Sequence, residues 1–95
     1  LARPNILMFG DDGWLPARTD AQERRFAEWL SGVAGRRLVV LELGAGLAIP
    51  TVRLTCEGVG GTLIRVNPRE PQVPRGGISL ALGAREALAA IDARL

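Results

Sequence analysis

Apolar residues in this chain fall into short runs separated by stretches with helical spacing. Asn5-Ile6-Leu7-Met8-Phe9 is the first run, and Gly10-Asp11-Asp12-Gly13 ends it, which predicts a buried strand followed by a loop. Residues 1–4 ahead of it read as extended, since Pro4 biases Arg3 away from helix. The loop runs on through Trp14 and Pro16 to Thr19 or Asp20, either of which is an N-cap with Glu23 near capping-box spacing. Phe26, Trp29, Leu30 and Val33 then recur at three- and four-residue intervals, giving one apolar helix face that Gly32 and Gly35 close. Leu38-Val39-Val40-Leu41-Glu42-Leu43 has only Glu42 breaking its apolar character, as suits a strand buried on both faces. Pro50 opens a short helix through Val52, Leu54 and Thr55, and Gly58-Val59-Gly60-Gly61 breaks it. Thr62 to Asn67 is a third strand, residues 68–77 a proline- and glycine-bearing loop, and Ile78 to Leu82 a fourth strand. Gly83 to Leu95 is a closing helix with Ala84, Leu88, Ile91 and Leu95 on one face.

Strand–helix alternation with short connections predicts an α/β fold, a partial three-layer Rossmann-like parallel sheet with about four strands and about three helices. Ligands of such sheets lie beyond the carboxyl ends of the strands. Those ends are Gly10-Asp11, Gly44-Ala45-Gly46 and Asn67-Pro68. At the second of them, Gly44 and Gly46 allow torsions closed to other residues, and a helix starting near Ala48 aims free N–H groups at the same place. That combination suits the phosphate of a nucleotide; a plain tight strand-to-helix turn is the other reading.

Composition narrows the classes. A hydrophobic fraction of 47% excludes disorder, and 95 residues make one small domain or a piece of a larger one. All 12 basic residues are arginines scattered along the chain for a net charge of +2, which speaks against nucleic acid as a partner. Histidine is absent, so the usual neutral-pH acid–base group is missing. Cys56 is the only cysteine, which excludes an internal disulfide or a four-cysteine zinc site and fits a reducing cytoplasm. Without a signal peptide or a long apolar run, membrane insertion is not expected. The chain opens on Leu1, which we read as an expectation that it is part of a longer protein.

Arg3-Pro4-Asn5-Ile6-Leu7-Met8-Phe9-Gly10-Asp11 resembles the arginine-proline, apolar run, phenylalanine-glycine-acid signature of sirtuins, the NAD-dependent protein deacylases. Gly44-Ala45-Gly46, then Asn67, then the turn around Gly83-Ala84-Arg85 follow in that family's order and at compatible spacings. The resemblance implies that residues 1–95 are the carboxy-terminal part of a sirtuin-type NAD-binding domain. It implies that Gly44, Ala45 and Gly46 approach the adenosine side of NAD, that Asn67 with Pro68 meets the adenine ribose, and that Ala84 and Arg85 border the adenine. Leu7 and Phe9 would line the acyl-lysine tunnel, with Gly10 and Asp11 offering backbone to an acylated protein or peptide substrate. The family's catalytic histidine and zinc cysteines lie upstream of this signature and not in these residues. Zinc is therefore expected in the parent protein only, and the isolated segment is expected to be inactive.

Glu42-Leu43-Gly44-Ala45-Gly46-Leu47-Ala48 also resembles the first motif of class I S-adenosylmethionine-dependent methyltransferases. In that family an acid usually ends the next strand, where this chain has Asn67. A non-catalytic nucleotide-sensing module is the third reading. Some residues have plainer roles open to them: Asn67 before Pro68 is a common turn former, Cys56 reads as a small buried residue, and Glu42 needs an arginine neighbour if buried.

Overall fold

A computed structural model describes residues 2–95. The chain divides into two compact units, residues 1–34 and 35–95.

In the first unit, α1 (Ala17–Val33) forms from Pro16 onward, three residues ahead of the expected Thr19 cap. Pro16 suits the start because its missing N–H leaves no orphan donor, and Asp20 then lies in the first turn, where a negative charge is favoured. Phe26 and Trp29 stack with ring centroids 6.1 Å apart, yet α1 buries none of its residues. The strand expected over Asn5–Phe9 does not form. Ile6, Leu7, Met8 and Phe9 are exposed, and the segment has no ladder partner among the described residues to take its backbone groups. Local ties hold it instead: Arg3 forks onto both Asp11 carboxylate oxygens at 2.7 and 2.8 Å, and Asn5 exchanges two hydrogen bonds with the Leu15 backbone. The expected extended start includes Leu1, which lies outside the described residues.

The second unit is α/β. Strands β1 (Val39–Leu43), β2 (Thr62–Val66) and β3 (Ile78–Leu80) form a three-stranded parallel sheet in the order β1-β2-β3, with α2 (Thr51–Gly58) between the first two strands and α3 (Ala84–Asp92) after the third. The fourth predicted strand is thus shorter than the apolar run that suggested it, and the last helix stops before Leu95, which is exposed. No helix of the described residues is long and apolar enough to cross a membrane.

Register decides which side chains meet. Leu41, Ile64 and Ile78 align on one face, while Glu42, Arg65 and Ser79 align on the other. The second face receives α2, whose positions 53, 56 and 57 recur at the spacing of one helix side. The first face leaves Val39, Leu41, Leu43 and Ile78 exposed, so β1 is covered on one side only, against the expectation of burial on both. The apolar core is small: Leu63, Val66 and Ala87.

Gly61 sets the entry to β2. A Cβ there would come within 2.7 Å of the Leu38 carbonyl oxygen, which already accepts the Thr62 N–H at 2.9 Å. Gly61→Ala should therefore cost about 1–3 kcal/mol, because backbone must move to make room. Gly58→Ala has open space around the new methyl. It should gain about 0.4–1 kcal/mol by restricting the unfolded chain. Thermal melts of the two variants against the parent check both signs.

Candidate functional site

The carboxyl edge of the sheet carries two loops. β1 ends at Leu43 opposite Val66, and the ladder runs one step further as the Gly44 N–H donates to the Val66 carbonyl at 2.9 Å. Gly44 then takes φ +68°, a left-handed torsion that only glycine adopts at little cost. β2 ends at Val66, and the Asn67 N–H donates to the Leu80 carbonyl at 3.1 Å. All three strand tips are thus level, and the loops 44–47 and 67–70 leave the sheet side by side.

Three side chains tie those loops together. Asn67, buried, donates from Nδ2 to the Ala45 carbonyl at 3.0 Å, and its Oδ1 accepts the N–H groups of Arg69 and Glu70 at 2.9 and 3.0 Å. Arg53 of α2 donates from Nε to the same Ala45 carbonyl at 2.9 Å and from Nη2 to the Glu70 carbonyl. The Glu70 carboxylate reaches across so that Oε2 accepts the Leu47 N–H at 2.9 Å. Gly46 lies against that oxygen, which a Cβ there would meet at an ordinary contact distance of 3.5 Å. Among the described residues no acceptor takes the N–H groups of Ala45 and Gly46, and Glu70 Oε1 receives no donor. The double loop therefore offers two donors beside one carboxylate acceptor.

Beneath these loops lies a charged cluster. Arg65, buried in the middle strand, forks onto Glu42 at 2.5 and 2.9 Å, donates to Glu57 Oε1 at 2.9 Å and also reaches the Gln72 carbonyl. These hydrogen bonds hold the Glu42 carboxyl below the usual carboxylate range, winning over burial, which pushes the other way. The same partners raise Arg65 above its ordinary value. Cys56, half-buried, is pushed up by burial and by the Glu42 carboxylate beside it, so the thiol is a poor nucleophile at neutral pH. A cavity of about 310 Å³ lies beside Cys56, Glu57 and the Pro74–Gly77 turn, and neither loop lines it.

No family model, curated protein or solved structure matches this chain.

The residues singled out by sequence divide between the units. Gly44, Ala45, Gly46, Asn67 and Pro68 come together at the double loop of the second unit. Ala84 and Arg85 open α3 in the same unit, exposed and with no hydrogen bond to either loop among the described residues. Leu7, Phe9, Gly10 and Asp11 belong to the first unit, where Leu7 and Phe9 are exposed and Asp11 is held by Arg3. Among the described residues no cluster of three His, Cys, Asp or Glu side chains is arranged to hold a metal ion. Sequence reasoning missed Arg53 and Glu70. Helical spacing could have found Arg53, which falls on the sheet-facing side of α2; for Glu70 the only signal was an acid three residues beyond a strand end.

Glu42 and Arg65 generate a test. Arg65→Met should destabilise by about 3–5 kcal/mol, since it strands a buried carboxylate without its partner. Glu42's lowered value means that its contribution is complete above the ordinary glutamate pKa of about 4.3 and disappears as pH falls through the lower, folded-state value. Midpoints of urea unfolding between neutral and acid pH should therefore fall in the parent and fall less in Glu42→Gln. Parallel curves would remove Glu42 from the acid response.

Proposed function

We propose that residues 35–95 form an adenosine-binding unit, and that the whole chain is the NAD-contacting part of an NAD-dependent protein deacylase. The observation that carries the reading is the free amide pair of Ala45 and Gly46 beside the Glu70 carboxylate, at the carboxyl edge of a parallel sheet. A ribose is complementary to that set, because its hydroxyls accept from N–H groups and donate to a carboxylate. Asn67, to which the resemblance assigned the ribose, has its amide oxygen filled by two backbone N–H groups. In this reading Asn67 shapes the 67–70 loop and Glu70 takes the hydroxyls.

The deacylase assignment rests on the ordered resemblance across both units, with an acylated protein as the second substrate. The chain contains no histidine. The general base of the family chemistry would then come from outside these residues, as would any zinc.

The same carboxylate favours a second reading. The methyltransferase resemblance calls for an acid at the end of the second strand to hold the ribose of S-adenosylmethionine. Asn67 occupies that strand end, and Glu70, four residues past Val66, is the nearest carboxylate after it. Calorimetric titration of the chain with NAD, ADP-ribose and S-adenosylmethionine separates the two. Binding of NAD and ADP-ribose is expected, with a loss of about tenfold or more in Glu70→Ala, the worth of a hydrogen bond to a charged group. Binding of S-adenosylmethionine alone would replace the deacylase by the methyltransferase. Failure of all three ligands would end the adenosine reading. NAD bound by the parent protein without turnover of acyl-lysine peptides would leave a sensor.

A further inference from the structure

We infer that Arg53 is the positioning residue of this site: its guanidinium sets where the Glu70 carboxylate stands relative to the Ala45 and Gly46 amides. The inference rests on the ribose reading above for its ligand, though not for its geometry. Arg53 is only 4% exposed, yet it makes no ion pair with a carboxylate among the described residues. Its donors go to two carbonyls, one from each loop. A buried guanidinium satisfied this way acts as a spacer, because the planar fork fixes the separation and tilt of the two oxygens it bridges.

Both ends of the Glu70 backbone are held by side chains. Its N–H is taken by Asn67 Oδ1 at 3.0 Å and its carbonyl by Arg53 Nη2. With the backbone pinned at both ends, the carboxylate has a short and defined reach, and it ends on the Leu47 N–H. The opposing loop is held by the other arm of the same fork, through the Ala45 carbonyl. One side chain thus connects the free amides to the free carboxylate oxygen. The charge is balanced from below: Glu42, Glu57 and Arg65 together carry one net negative charge, and Arg53 lies close enough to Glu42 to help keep that carboxylate ionised.

Arg53→Lys keeps the charge but has no fork to span both carbonyls, and Arg53→Met keeps only the bulk of the stem. The chain and both variants are titrated with ADP and with 2′-deoxy-ADP, and amide exchange is followed at Leu47 and, as a reference inside β2, at Ile64. The parent is expected to prefer ADP by about tenfold, as the hydroxyl bonded to Glu70 is worth. Both variants should lose most of that preference, and the Leu47 amide should exchange faster while Ile64 is unchanged. Variants that weaken both ligands in proportion and keep the preference would overturn the inference, since a plain structural tie predicts that outcome. A parent indifferent to the 2′-hydroxyl, or binding neither ligand, would sink the ribose reading alone. The Leu47 amide then decides the positioning role, and its unchanged protection in Arg53→Lys would overturn it.

Discussion

The second unit depends on one buried contact, the fork of Arg65 onto Glu42. Aligned neighbours in a parallel sheet share a face, so Glu42 in β1 and Arg65 in β2 necessarily point the same way. Each would be expensive to bury alone, and both are buried here as a bidentate pair. The contact also selects a register. A slip of one residue between β1 and β2 would put the two charges on opposite faces and leave each without its partner. In a unit whose apolar core amounts to Leu63, Val66 and Ala87, such a device specifies the pairing more sharply than hydrophobic area does.

Polar specification continues upward from that pair to the sheet edge. Arg65 reaches Glu57 on α2, Arg53 sits one turn earlier on the same helix, and from there the bonds run to Ala45, Glu70 and Leu47. The loops that would meet a ligand are thus tied to the sheet by side chains rather than by apolar packing. A donor–acceptor arrangement needs fixed angles as well as fixed distances, and hydrogen bonds supply both. Of the two glycines in the first loop, Gly44 is the one the backbone requires, through its left-handed torsion at the end of β1.

Much of this was legible in the residues. Periodicity gave the three helices and the strands at 39–43 and 62–66, because their apolar runs were bounded by glycine or proline. The need of Glu42 for a cationic neighbour was also readable, although which arginine met it depended on register. The strand over Asn5–Phe9 was read from local composition alone, and a strand exists only where another backbone pairs with it. Glu70 was hidden for a related reason. Its role comes from the turn that Asn67 builds and from the fork of Arg53, and neither can be seen in the spacing of 67 and 70. The burial expected on both faces of β1 failed because Val39, Leu41 and Leu43, on the face opposite Glu42, stay exposed.

Cys56 sits within this polar cluster with its thiol held protonated by burial and by the carboxylate next to it. Reagents that require a thiolate will therefore react with it slowly while α2 is seated. The chain has no other cysteine. Its rate of labelling thus reports on the burial and charge around α2, the same helix from which Arg53 holds the loops.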